Sequence, residues 1–317
     1  MHTKTYRIQN WAQYNRALIQ RGSLTVWIDE QGVKKWRASA RKSHPGRPQV
    51  YSDDSILMML ILREVFHLPL RALQGFVISV FQFMRLSLPV PSYPQISRRA
   101  QGLHRKFGRL NHRRPSDIVF DSTGLKVYGE GEWKVRVHGK GKRRTWRKLH
   151  LALDPESHDI ILCEMTGCGA ADSQVGQRMM DRLPRGFKTI YGDGAYDGAG
   201  FRRKTYERSA RCLVPPPKNA SYKGSRDGWQ GERDADLATI EGLGGGEQGR
   251  RLWKQLSGYH RRSLGETGFY RMKTMLGANL KARSWGCQHS EVICKCLIIN
   301  RMNKLGMPKG RWLEADA

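Results

Sequence analysis

The chain has 317 residues and carries 56 lysines and arginines against 28 aspartates and glutamates, a formal charge of +28. That length suffices for a sizeable core and for two domains, or for one catalytic domain with appendages, and 39% hydrophobic residues mark an ordinary globular protein. Positive charge spread over the whole length points to a polyanion-binding surface, with nucleic acid ahead of an anionic membrane.

No apolar run approaches a membrane span: "SILMMLILREVF" is cut by Arg63 and Glu64. The first residues, "MHTKTYRIQN", lack the apolar core of a signal peptide, so a cytoplasmic protein with no membrane partner is expected. Six cysteines show no even framework. Cys287, His289, Cys294 and Cys296 are zinc-ligand types at a spacing that fits no standard finger, and they read as buried reduced thiols.

Residues 1 to about 46 are polar and basic, ending in "RKSHPGRP", which reads as a linker. Ser52 and Asp53 offer N-caps before an apolar helix, Pro69 marks a boundary before a second, and Ser97 is a potential cap for a third, basic one. Three helices with a basic last member suit a helix-turn-helix-like DNA reader over 1–110, with Arg98, Arg99, Arg105 and Lys106 as DNA contacts.

From about 111 to 217 the pattern turns to strands. "DIVFDSTGLKVYG", "TWRKLHLALD" and "DIILCEMTG" suggest an antiparallel meander, and helix–strand alternation follows through "FKTIYGDGAYD" and "RCLVPPP". The order predicts an α/β domain with a mixed sheet. Residues 218–255, polar and Gly-rich, read as an insertion or mobile loop. The core resumes over 256–300, and 301–317 is a basic tail.

Two acids sit where chemistry would place them. Asp121 follows the apolar "IVF", and Asp193 closes "TIYGD". A charge at a buried strand end requires pairing or a metal, and two converging carboxylates require a cation between them. Hard oxygen ligands favour Mg²⁺ or Mn²⁺. The third ligand comes from "YHRRSLGETGFYRMK": if that stretch is helical, Tyr259, Arg262, Glu266 and Lys273 share one face.

This spaced motif, Y-x₂-R-x₃-E-x₆-K, together with "IVFDSTGLKVYGEGEW", "GDGAYD" and "NRMNKLGMP", resembles bacterial insertion-sequence transposases of the DDE type, the insertion-sequence family five branch in particular, over nearly the whole chain. The resemblance implies an RNase H-like catalytic domain preceded by a helical DNA-binding region. It implies an Asp121, Asp193, Glu266 triad holding two Mg²⁺ ions, for which Mn²⁺ may substitute. It also implies cleavage at terminal inverted repeats with strand transfer into target DNA, by a nucleoid-associated protein acting as a homodimer or higher oligomer. Arg262 and Lys273 would then clamp DNA phosphates, and Tyr259 would donate to one. Trp229 is a candidate for stacking on an unpaired base, whereas Trp253 reads as core. Gly265 and Gly268 flank Glu266 and weaken the helix there. Two other functions compete with transposition: a catalytically silent DNA-binding regulator derived from a transposase, and an RNase H-like nuclease without strand transfer.

Overall fold

The computed structural model describes residues 5–38, 49–107, 109–111, 113–127 and 146–313. The linker expected at 41–48, the 128–133 part of the motif-bearing stretch and the last four residues of the expected tail lie outside these ranges. The chain opens with a short strand, β1 (Thr5–Ile8), and helices α1 (Trp11–Gln20), α2 (Leu24–Trp27) and α3 (Glu30–Lys34). Helix α4 (Asp53–Val65) starts where Ser52 accepts a hydrogen bond from the Ser55 amide, with Asp53 and Asp54 in its first turn. Helices α5 (Leu70–Phe83) and α6 (Tyr93–Leu103) follow. The cap of α6 is Ser92, in a capping box with Gln95, earlier in the chain than Ser97 suggested.

The sheet is built around β2 (Asp117–Val127), whose unbroken Ile118, Val119 and Phe120 run is wholly buried, as a strand covered on both faces demands. Strands β3 (Trp146–Leu153) and β4 (Ile160–Gly167) extend it antiparallel on one side. Helix α7 (Asp172–Arg182) then crosses to β5 (Thr189–Tyr191), parallel to β2, and α8 (Ala199–Tyr206) to β6 (Arg211–Leu213), parallel to β5. The strand order β4-β3-β2-β5-β6 is the mixed sheet of an RNase H-like fold. Ile118 and Phe120 face α7 and α8. By alternation, Val119, Asp121 and Thr123 face the opposite side.

Residues 218–255 depart from the expected loop. They contain helices α9 (Gly228–Gly242) and α10 (Gly246–Leu256). The stretch reads as polar because the residues it buries are charged. Asp197 pairs with both Arg202 and Arg233, Asp236 pairs with Arg211, and the Trp253 indole donates to Asp236 at 3.3 Å. Leu237, Ile240 and Trp253 supply the few apolar contacts.

Helix α11 (Ser263–Leu276) and strand β7 (Asn279–Leu280), paired with the far end of β2, lead to α12 (Trp285–Leu305). This last helix is buried over most of its length, polar Gln288, Glu291, Lys295 and Asn300 included, with Cys294 and Cys296 fully buried, and packs against α4, α6 and β4. The expected basic tail is therefore partly helix, and β8 (Gly310–Leu313) pairs with β1. One core cluster joins Trp36, Ile56, Leu62, Leu73 and Ile96 of the N-terminal region to Leu149 and Leu151 of the sheet and Met272 and Ile298 of α11 and α12. The region 1–110 is thus not a separable unit: α12, from the far end of the chain, completes its core.

Breaking the ion-pair network should loosen α9 and α10. Asp236→Ala leaves Arg211 and the Trp253 indole without their carboxylate and takes from buried Arg202 one of its two, and should lower unfolding stability by about 3 kcal/mol in urea denaturation. Limited proteolysis should then cut first within 218–256. Wild-type stability would show that the network is not what seats these helices.

Candidate active site

Three carboxylates meet at one arginine. Asp121, in mid β2, is buried, and its Oδ1 accepts from the Ser122 amide at 2.9 Å. Asp193 follows β5, where Oδ1 caps a short 3₁₀ turn by accepting from Ala195 N and Oδ2 is left facing the site. Glu266 lies in the first turn of α11. The Arg262 Nη2 atom is 3.5 Å from both Asp121 Oδ1 and Asp193 Oδ2, and Nη1 contacts Glu266 Oε1. Side-chain exposure rises from 7% at Asp121 to 41% at Asp193 and 61% at Glu266, so the cluster has a buried floor and an open mouth. Burial pushes the Asp121 carboxyl up to about 6; Arg262 opposes that, and the neighbouring Asp193 and Glu266 charges add to it.

Gly265 lets α11 come this close. A Cβ there would lie 2.9 Å from Asp121 Cβ and 3.2 Å from Val119 Cγ1. The glycine that weakens the helix is what allows it to rest on β2 beside the aspartate.

Two family models, each described as a transposase DDE domain, match residues 19–130 and 112–301. The chain belongs to the DDE transposases. It is thus a phosphoryl-transfer enzyme of the transposase type, from a family that works with divalent metal. Among solved structures it is similar to the cryo-EM structure of piggyBac transposase synaptic complex with hairpin DNA, at 12% identity and a TM-score of 0.43, over 94% of this chain and 76% of that one.

Several side chains of the transposase lie elsewhere than the motif suggested. Tyr259 and Arg262 precede α11, in a 3₁₀ turn that follows Gly258 in the left-handed conformation, so the four motif residues do not share one helix. Tyr259 is not poised for phosphate: its hydroxyl donates to the Gly192 carbonyl at 3.1 Å and its ring lies against Trp253. Burial pushes that phenol up to about 12. Lys273 does reach the site, donating to Thr123 Oγ1 at 2.6 Å. On and beside α6, Arg99 and Lys106 are both engaged by Asp53, whereas Arg98 and Arg105 are exposed. Trp229 is half-buried in the first turn of α9, far in sequence from the motif helix, and Trp253 is in the core. A cavity of 410 Å³ between α4, α6 and the start of α12 contains none of the three acids.

Sequence reasoning missed the support behind Asp121. Ser122 points to the opposite face, opposite His150 in the β2–β3 register, beneath Asp172 at the start of α7. Lys148 Nζ donates to Asp172 Oδ2 at 2.7 Å, and His150 Nδ1 is 3.2 Å from Oδ1. Only the alternation of Lys148 and His150 with Leu149 and Leu151 hinted at a polar layer there.

Among the described residues, no three Asp, Glu, His or Cys side chains are drawn together as a finished metal site. The donor set nevertheless fits a hard divalent ion: three carboxylates, one of them buried, converge on a single positive group.

Asp172 sets a pH dependence. Burial would raise its carboxyl, but His150, Lys148 and Ser122 outweigh that and hold it at about 2. A lowered carboxylate contributes stability that is present above its unfolded value near 4 and lost as pH falls toward 2. Asp172→Asn should therefore cost about 2 kcal/mol at pH 7, a difference that shrinks between pH 4 and 2 in urea titrations. A constant difference across that window would rule out this cause.

Proposed function

We propose that Asp121, Asp193 and Glu266 hold two Mg²⁺ ions, with Mn²⁺ as a working substitute, and that the transposase cleaves DNA at terminal inverted repeats and joins the freed ends to target DNA. One observation carries the reading: carboxylates from β2, the end of β5 and α11 converge on one cation. When bound, the ions supply Lewis acidity and charge neutralisation for an in-line displacement at phosphorus.

The chain's own residues position the reaction. Asp121 fixes the floor of the site from a rigid central strand. Asp193 is set by the 3₁₀ turn it caps, and that turn is braced through Gly192 by Tyr259. Glu266 closes the mouth from α11. Lys273, two turns further along the same helix and tied to Thr123, offers its ammonium to a phosphate beside the acids. Trp229 is a candidate for stacking on an unpaired base. Residues 1–110 recognise the element ends through a helix-turn-helix-like arrangement of α4 to α6. An element has two ends and the Asp121, Asp193 and Glu266 group forms a single site in the described residues, so a homodimer or larger assembly on DNA is the working form.

Asp121→Asn, Asp193→Asn and Glu266→Gln should each abolish cleavage and joining of a supercoiled donor plasmid in Mg²⁺ while leaving binding to terminal-repeat duplex intact. A variant that cleaves at the wild-type rate removes its residue from the triad.

For end recognition, the exposed face of α6 and the turn after it carries Tyr93, Pro94, Ser97, Arg98, Gln101 and Arg105. Because the N-terminal core needs α12, this assignment is tested in the full chain. Arg98→Ala combined with Arg105→Ala should weaken duplex binding and reduce the slope of log affinity against log salt by about 2, one for each phosphate no longer neutralised. An unchanged slope would place end binding elsewhere.

A further inference from the structure

We infer that Arg262 is a built-in counter-cation that competes with the catalytic metal: its guanidinium occupies the ground between Asp121, Asp193 and Glu266, so loading the site with divalent ions requires it to leave them, and leaving them frees it to bind a DNA phosphate. The inference rests on the metal-holding role proposed above for the three acids.

The geometry is that of a placeholder. One side chain touches all three carboxylates, two of them through the same nitrogen. The separations of 3.5 Å to Asp121 and Asp193 exceed those of optimised charge-assisted bonds, which lie at about 2.7–2.9 Å. The buried Nε has no hydrogen-bond partner. Arg262 is thus held closely only by the exposed Glu266 and at long range by the two aspartates at the floor, and a group anchored mainly at the open mouth can be displaced.

Charge and position argue the same way. A single guanidinium offsets one of three carboxylate charges, so the cluster stays net negative and continues to attract cations. Two divalent ions would more than neutralise it and would repel an arginine left among them. The residue sits at the junction between the 3₁₀ turn and α11, at the edge of the site rather than inside the helix. Glu266, its partner at the mouth, is largely exposed, so the path outward leads toward the surface from which DNA would approach.

The consequence is coupling. DNA that captures Arg262 raises metal affinity, and metal that expels Arg262 raises DNA affinity by the same factor. The free transposase would therefore load its metals weakly, and the active site would assemble on its substrate.

The test uses full-length protein, stripped of metal with chelator, and Mn²⁺ as the probe, with free Mn²⁺ followed by electron paramagnetic resonance. Without DNA, Arg262→Gln should bind Mn²⁺ about fivefold or more tighter than wild type. Adding terminal-repeat duplex in Ca²⁺-free buffer should raise Mn²⁺ affinity more in wild type than in the variant. Equal or weaker Mn²⁺ binding by Arg262→Gln without DNA would overturn the inference. Should that variant fail to fold, Arg262→Met, which keeps an apolar stem and removes the charge, is read by the same criterion. Asp121→Asn in the wild-type background should lose Mn²⁺ binding. If it does not, the proposed triad fails and the inference falls with it, whereas loss in Asp121→Asn without gain in Arg262→Gln would reject the inference alone.

Discussion

Carboxylates that converge must be neutralised, and the architecture around the site follows from that constraint. Asp121 lies in the middle of a central strand, where solvent cannot screen it, and two further acids approach it from β5 and α11. Without positive charge between them the three would repel one another and the buried one would protonate. The position of Arg262 in the turn before α11, the close approach that Gly265 allows and the Tyr259 brace on Gly192 all serve to bring the acids together and to keep a cation among them. The same constraint makes the cluster suited to divalent metal in a DDE transposase.

Buried charge recurs as a joint between elements elsewhere in the molecule. Asp197 and Asp236 tie α8 and β6 to α9 and α10. Asp172 ties α7 to β3 behind β2. In α12, Glu291 accepts from the Lys281 and Ala282 amides while Lys295 donates to the Gly277 and Asn279 carbonyls, which clamps the segment between α11 and α12. Such pairs contribute little net stability over apolar packing but are costly to break singly. Their value here is in register: each fixes where an element bearing a site residue sits against the sheet.

The three acids that converge on Arg262 and the strand meander were legible in the sequence alone. Apolar "IVF" ahead of Asp121 and "TIY" ahead of Asp193 reported two strands, one carrying a charge and one running into it, because a buried strand is recognisable from a continuous apolar run. The spacing from Tyr259 to Lys273 marked the third acid and its basic companions. Helix α9 was not legible, because its buried face carries Arg233, Asp234 and Asp236, and a charge that is paired inside looks in sequence like a charge in solvent; α10 buries little besides Trp253.

Tertiary structure alone decided which basic residues are committed and which are open. Arg99 and Lys106 are spent on Asp53 and Tyr259 on Gly192, while Arg98 and Arg105 remain exposed; nothing in their local sequence separates these cases. It also decided that the N-terminal helices share one hydrophobic core with the sheet, since the helix completing them arrives from residues 285–305. Residue type and spacing are local properties, so they marked which acids and bases to look for. Partnership depends on distant segments being folded against one another, as Arg99 is on Tyr51 across 48 residues of chain and His104 on Ser290 across 186, and only the assembled fold determines it.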